Sequence, residues 1–286
     1  MKFTPSELKT SQFHQYLLGA ISPRPICFAS TIDSDGQANL SPFSFFNVFG
    51  SKPPILIFSP ARRVRDNTIK HTLENCIETK EVVINMVNYA IVQQMSLSSC
   101  EYPKGVSEFE KSGLTPIASE FVKPFRVKES PVQFECKVLE VKETGSEGGA
   151  GNLIICEVLM MHINDDVLNE HQQIDPHKID LVARMGGDYY CRASGDAVFE
   201  VAKPNLNLGI GIDALPTHIK HSKLLTGNHL GQLANSTSIP EVNVHFSIDA
   251  SKNPEEVAKE YLDNHDVDMA WQVLLHMKHE SLNCPE

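Results

Sequence analysis

Residues 21–72 read ISPRPICFASTIDSDGQANLSPFSFFNVFGSKPPILIFSPARRVRDNTIKHT, two short apolar runs around a turn followed by a burst of positive charge. ICFASTI (26–32) is apolar and β-branched, and DSDG (33–36) supplies turn chemistry with Gly36 where a positive φ is expected, so the pair reads as a hairpin. Residues 37–46 then mix Ser41 and Ser44 with three phenylalanines and with Pro42, which cannot donate to a central ladder. Such a strand is interrupted, and part of its backbone is free to meet a ligand. Lys52-Pro53-Pro54 breaks the chain, ILIFS (55–59) reads as a buried strand, and Pro60 ends it. Arg62, Arg63, Arg65 and Lys70 follow among Asn67, Thr68 and Thr72.

Arginine, lysine, asparagine and threonine just before a helix suit a phosphate, because guanidinium groups bind it bidentately and helix N-terminal amides point at it. Taken alone, the segment reads first as a solvated basic loop, since surface arginines are common. Neither GxxxxGK[ST] nor GxGxxG after a strand occurs, so a P-loop or dinucleotide fingerprint is not the scaffold.

SPRPICFASTIDSDGQANLSPFSFFN (22–47), with PPILIFSPARRVRDNTIKHTLENCIETKEVVINMVN (53–88), resembles the flavin reductase-like, FMN-binding split-barrel family, which includes flavoredoxin and the reductase components of two-component monooxygenases. The likeness runs over residues 11–192. It implies a mainly β fold: a six-stranded antiparallel Greek-key barrel with peripheral helices, forming a homodimer with FMN in a groove near the subunit interface. Ser30 and Thr31 then fall at a strand end beside the flavin. Asn39, Leu40, Ser41, Pro42, Phe43, Ser44 and Phe45 form the segment whose backbone faces the isoalloxazine. Ser59, Arg62, Arg63, Asn67, Thr68 and Lys70 are candidates for the phosphate and ribityl end. Shorter family members read KDT before the helix; here that pattern aligns with residues 65–68 or with Lys70-His71-Thr72, and Thr68 and Thr72 stand as alternatives. The spacing to Asn75 favours the second.

Arg184-Met185-Gly186-Gly187-Asp188-Tyr189-Tyr190 is a second candidate region. Two glycines allow close backbone approach, Arg184 can bind an anion, and an aromatic ring such as Tyr189 can stack on flavin or nicotinamide. The family carries a comparable segment near the cofactor; the stretch also reads as a tight turn with tyrosines capping the barrel.

With 286 residues, 41% of them apolar, the chain can bury a sizeable core and is long for one barrel of this family. Domain boundaries of 1–192 and 193–286 follow, the second a mixed loop and helix extension packed on the barrel, as longer family members have. A formal net charge of -11 and a pI near 5.5 disfavour general nucleic-acid or anionic-membrane binding. The N-terminus has no apolar h-region and no stretch has membrane-span length, so a cytoplasmic protein is expected. Seven cysteines lack CxxC spacing and read as reduced core thiols. His218 with His221, and His276 with His279, are three apart, but HExxH is missing and no metal site is expected.

Further elements follow from pattern. Residues 11–20 read as an amphipathic helix, 72–79 and 89–97 as helices, and 81–87 as a strand. Residues 100–114 form a polar excursion with a short helical SEFEKSG, either a connecting loop or, by the resemblance, a segment near the flavin. Residues 130–145 alternate with a slip around Leu139, residues 152–165 are more continuously apolar, and residues 145–151 join the two as a glycine-rich hairpin loop. GIGIDALP (209–216) lacks the spacing of a nucleotide fingerprint and reads as a turn before a helix; residues 254–278 read as helices.

The resemblance implies hydride transfer from NAD(P)H to FMN and onward delivery to free flavin, oxygen or a protein partner such as a flavin-dependent monooxygenase. The cofactor carries that chemistry, so no side chain is named catalytic. A non-enzymatic FMN electron carrier of flavoredoxin type is the alternative, and an oxidase like the related pyridoxamine phosphate oxidase barrels a third.

Overall fold

A computed structural model describes all residues except 104, 204–206, 250 and 281–286, together with the side chains of 278–280. The chain forms two compact units, Met1–Phe199 and Glu200–Glu286, the division falling a few residues beyond the expected one.

In the first unit the elements run α1 (Thr10–Ala20), β1 (Arg24–Pro25), β2 (Cys27–Ile32), β3 (Ala38–Phe43), β4 (Phe46–Ser51), β5 (Pro54–Phe58), α2 (His71–Thr79) and β6 (Glu81–Met86). Then come α3 (Val92–Ser98), α4 (Glu108–Ser112), β7 (Pro116–Ile117), β8 (Arg126–Val127), β9 (Val132–Glu143), β10 (Asn152–Ile163), β11 (Val182–Arg184) and β12 (Tyr190–Arg192).

Seven strands make the main sheet in the order β3-β2-β6-β9-β10-β5-β4, every described pairing antiparallel. Although β3 and β5 lie towards opposite ends of that order, Phe43 of β3 meets Phe58 of β5 with ring centroids 5.2 Å apart. The sheet therefore curls round its own core, leaving β3 and β4 as the two edges of a split barrel. Inside sit Cys27, Ala29, Leu56, Val82, Ile84, Val138 and Ile154, with Leu73 and Cys76 of α2. On the other face of β2 and β3, Phe28 and Leu40 pack under α3 and α4 against Met95 and Phe109.

The main sheet carries one strand more than the six expected, within the same mainly β split-barrel fold. The additional strand comes from residues 46–51, where Val48 and Phe49 are exposed, so an edge strand is left without the inward-outward alternation that marks a half-buried one. Pro42 lies in the opposite edge strand, where a missing N–H costs no central ladder bond. The slip read at Leu139 is a β-bulge: Val138 faces Cys156 and Glu140 faces Ile155, leaving Leu139 without a partner across the ladder.

The second unit is helical: α5 (Thr217–Lys220), α6 (Gly227–Ala234), α7 (Pro254–Asp263) and α8 (Val267–Glu280). Its core includes Ile219, Leu233, Leu262, Trp271 and Leu274, and the Trp271 indole N–H donates to Ser236 Oγ at 3.0 Å. The GIGIDALP glycines serve close backbone packing. A Cβ at Gly209 would lie 2.6 Å from the Ala234 carbonyl oxygen, and the Gly211 amide donates to that same oxygen at 3.1 Å. His218 and His221 pair with the backbone carbonyls of Leu274 and Thr217. The His279 side chain and Cys284 lie outside the described residues.

Candidate functional site

Beyond β5 the chain enters the basic loop, and its backbone is held from several sides. The Ser59 amide donates to the Phe45 carbonyl at 2.8 Å, while Ser59 Oγ accepts the Asn152 amide at 3.1 Å. The Arg62 amide donates to Ala150 O at 2.8 Å and Gly149 N returns a bond to Arg62 O at 2.9 Å. Asn67, at φ 57°, donates through Nδ2 to Ser146 O at 3.0 Å and accepts Arg62 Nε at 2.8 Å. The glycine-rich connector is thus a clasp on the basic loop as well as a hairpin turn. A Cβ at Gly148 would sit 3.0 Å from the Arg63 carbonyl oxygen and 3.1 Å from Val64 Cα, so only glycine lets the two backbones approach.

The cations are treated unequally. Arg63 Nε pairs with Glu101 Oε1 at 2.9 Å, and its NH1 donates to Thr68 Oγ1 at 2.9 Å and Ile69 O at 2.8 Å. Arg65 pairs with Glu101 and with Asp66. The Thr68 hydroxyl, amide and Arg65 together hold the Asp66 carboxyl down at about 2. Thr68 is therefore consumed within the loop, and Glu101 brings the polar excursion against it. Among the described residues the Arg62 side chain bonds to Asn67 alone, and the Lys70 ammonium reaches Ser41 Oγ alone, at 3.5 Å, while lying 5.3 Å from the Phe43 ring centroid. Among the described residues neither Arg62 nor Lys70 has a carboxylate within ion-pair distance. Burial, then the neighbouring Arg63 charge, lowers the Lys70 pKa below its ordinary 10.5.

Lys70 stands at the N-cap of α2. Its carbonyl accepts the Leu73 amide at 2.9 Å, whereas the His71 and Thr72 amides find no protein acceptor among the described residues. The nine residues of α2 add the positive end of a helix dipole to the same place. The helix thus starts in the Lys70-His71-Thr72 register, with Thr72 in its first turn and Thr68 outside it.

Buried hydrogen bonds fasten α2 to the hairpin. Asn39 Nδ2 donates to Thr31 Oγ1 at 3.2 Å and Thr72 Oγ1 at 2.9 Å, and Asn75 Nδ2 donates to Thr31 Oγ1 at 3.1 Å. Asn39, Ser41 and Phe43 share one face of β3 with Lys70 and α2. Leu40 packs into the core under α3 and α4, and Ser30, its cross-strand partner, is fully buried, its hydroxyl without a hydrogen-bond partner among the described residues. The Leu40 amide, on the open side of β3, is capped by Glu108 Oε2 at 3.0 Å. Ser44 and Phe45 form the joint between β3 and β4, where Phe45 meets the His14 ring edge-on at 6.2 Å.

Helix α1 connects this region with the Arg184 turn. Near its start a Cβ at Gly149 would meet Thr10 Cγ2 at 3.6 Å, and near its end a Cβ at Gly186 would meet Gly19 Cα at 3.2 Å. Nine residues of helix separate those contacts by about 14 Å. In the turn, Arg184 bonds the Tyr190 hydroxyl, stacks 4.5 Å from that ring's centroid and donates to Gly187 O at 2.7 Å. Tyr189 is 77% exposed. Arg24, opposite Arg184 in the β1–β11 pair, donates to Leu18 and Met185 carbonyls and so ties α1 to the turn, a role the sequence reading missed.

The family model described as "Flavin reductase like domain" matches residues 19–180, the segment that holds the barrel, the basic loop and the α2 start. The chain belongs to this family. An uncharacterized protein of Aquifex aeolicus (strain VF5) is 39% identical over 201 residues, 70% of this chain and 100% of its own. Nitrilotriacetate monooxygenase component B from Bacillus cereus superposes with a TM-score of 0.65 at 27% identity, over 70% of this chain and 98% of its own. A split barrel domain protein from Shewanella frigidimarina NCIMB 400 gives a TM-score of 0.60 at 28% identity, over 71% and 99%. The helical unit, beginning at Glu200, lies outside the residues matched to the flavin reductase-like domain.

Proposed function

We propose that this flavin reductase-like chain binds FMN with its phosphate at the basic loop and acts as an NAD(P)H:flavin oxidoreductase. The observation that carries the reading is a half-buried Lys70 ammonium at the α2 N-cap, at the end of the loop that carries Arg62, with neither cation within ion-pair distance of a carboxylate among the described residues and Glu101 and Glu108 acting on Lys70 only from farther off. Taking a charge out of water without an opposite charge is costly, and a phosphate supplies that charge. Lys70, Arg62 and the His71 and Thr72 amides would hold it. Asn39, bonded to Thr31 and Thr72, fixes their position against β3. Ser44 and Phe45 present the backbone expected to face the flavin ring, and the Arg184 turn, about 14 Å along α1, contributes at the far end. Bound FMN supplies the hydride chemistry.

The remaining parts of the proposal are a homodimer, delivery of reduced flavin to a partner such as a monooxygenase, and a cytoplasmic location. Edge strand β4 supports the first, since Val48 and Phe49 are 63% and 64% exposed beside an unpaired edge, which proteins ordinarily cover. The likeness to a monooxygenase component B supports the second. Among the described residues no helix is long and apolar enough to cross a membrane, in keeping with the third.

Purified protein that is yellow and releases FMN on denaturation supports the cofactor, and colourless protein with no affinity for added FMN rejects it. Steady-state oxidation of NADH or NADPH with free flavin as acceptor supports the oxidoreductase. Reduction of bound flavin only by a protein donor would replace it with the electron carrier.

A further inference from the structure

The basic loop carries two cations without a carboxylate partner and two that share one. The Arg63 amide donates to Thr68 O at 2.9 Å and the Asn67 amide to Arg63 O at 2.9 Å, so the chain between Arg62 and Lys70 doubles back on itself. Glu101, from the segment between α3 and α4, spans Arg63 and Arg65, with Oε1 on Arg63 Nε at 2.9 Å and Oε2 on Arg65. Those bonds, the Arg63 one foremost, hold its carboxyl below the ordinary 4.5, so it is an anion at neutral pH. Arg63 NH1 also donates to Thr68 Oγ1 and to Ile69 O, one residue before Lys70, and the charges of Arg63 and Glu101 both act on Lys70. A carboxylate is thus lodged on two arginines at the margin of the phosphate end proposed above. Among the described residues Arg62, Arg63, Arg65 and Lys70 meet only Glu101 and Asp66 at ion-pair distance, which leaves two positive charges over. A phosphate monoester, at about −1.5 to −2 near pH 7, fills that deficit on a single phosphorus.

We infer that Glu101 makes the site selective for a flavin mononucleotide over a flavin dinucleotide, by holding with its own carboxylate the arginines that a second phosphate would need. The inference rests on the FMN reading and deepens it. A dinucleotide divides its charge between two linked phosphates, so the cations that await a dianion receive one charge from the first. The second phosphate then meets cations that are already paired. To use Arg63 and Arg65 it must displace Glu101, and if it does not it lies against a like charge; either way the penalty falls on the dinucleotide alone. Arg63 cannot swing away to follow it, because Thr68 and the Ile69 carbonyl hold the same guanidinium.

The test is isothermal titration calorimetry of the flavin-free full chain with FMN and with FAD, in wild type, Glu101→Gln, Glu101→Asp, and Glu101→Gln combined with Arg65→Gln. The Glu101 side chain is 44% exposed, so a neutral glutamine of the same size keeps the fold, which a thermal melt checks. Wild type binds FMN more tightly than FAD. Glu101→Gln narrows the ratio of the two affinities about tenfold, the lower end for one charge-assisted hydrogen bond gained by the second phosphate. Glu101→Asp, which keeps the charge, keeps most of the ratio, and adding Arg65→Gln to Glu101→Gln takes back part of the gain in FAD affinity. A loop merely loosened, or a charge felt at long range, moves both affinities together; the ratio reports the second phosphate. Wild type that binds FMN with a ratio unchanged in Glu101→Gln, or that binds FAD as tightly as FMN or more so, overturns the role of Glu101 and leaves the FMN site standing. Wild type that binds neither flavin overturns the FMN reading and this inference with it.

Discussion

Replacing Lys70 by methionine keeps the chain's length over the Phe43 ring and removes the ammonium. If that charge faces the FMN phosphate, the variant loses one charge-assisted hydrogen bond, about 1.5–3 kcal/mol, or about 10- to 150-fold in Kd. Without FMN the same change removes a half-buried cation with no carboxylate partner among the described residues, so the flavin-free protein melts no lower than wild type. The two readouts move apart, which a general structural lesion cannot reproduce. FMN at 100 times the wild-type Kd stabilises wild type by about 2.7 kcal/mol, and a tenfold weaker variant by only about 1.4. Flavin fluorescence quenching gives the affinities and thermal melts with and without FMN give the stabilities. The pH dependence has a definite sign. Because the folded-state pKa of Lys70 lies below 10.5, the fold disfavours its charged form in the flavin-free protein, and that penalty fades as pH rises through the lowered pKa. A bound phosphate favours the charged form, so FMN affinity falls over the same rise, and Lys70→Met has no such limb. Wild-type affinity in Lys70→Met, at every pH tried, would refute the phosphate assignment.

Further outcomes follow from other contacts. Asn39→Ala removes two buried hydrogen bonds, one across the hairpin to Thr31 and one to Thr72 of α2, and lowers stability by about 1–3 kcal/mol; a urea midpoint matching wild type counts against that network as a fastening. Gly148→Ala drives a Cβ against the Arg63 and Val64 backbone, costing about 1–3 kcal/mol and weakening FMN through the displaced loop. Gly145→Ala, whose Cβ would meet only the Ala150 side chain at 3.3 Å, is the milder control in the same titration. Buried Glu135 is raised by desolvation, but the amides of Glu120 and Phe121 and the His162 contact outweigh it and hold its pKa below 4.5. Its contribution is present above 4.5 and lost as pH falls through the lowered value, so Glu135→Gln flattens the acid limb of a stability profile. Val48→Asp with Phe49→Asp turns a β4-mediated dimer into a monomer in light scattering; an unchanged mass places the subunit contact elsewhere.

Much of the barrel was legible because it rests on local chemistry. The DSDG turn makes the β2–β3 hairpin, since turn residues and period-two apolarity act within a few residues of one another. Pro42 confines β3 to an edge for want of an N–H, and Leu139 breaks the alternation of β9 where the bulge sits. The start of α2 near Thr72 was legible too, because a helix onset needs its capping residue and first turn in sequence, while the choice between Thr68 and Thr72 was left open. Strand β4 was not, since an exposed edge strand leaves no inward-outward pattern. Nor was the division of the cations. Arg62, Arg63, Arg65 and Lys70 are alike on paper, and only folding brings Glu101 to Arg63 and Arg65 while leaving Lys70 with a hydroxyl and a ring. The clasp of residues 145–151 on the basic loop, and the tie from Arg24 to the Arg184 turn, join segments roughly 80 and 160 positions apart. Sequence determines which residues can make a turn, a strand or a cation; the tertiary structure decides which charges are answered, because Coulomb and hydrogen-bond energies depend on distances in space that chain separation does not set.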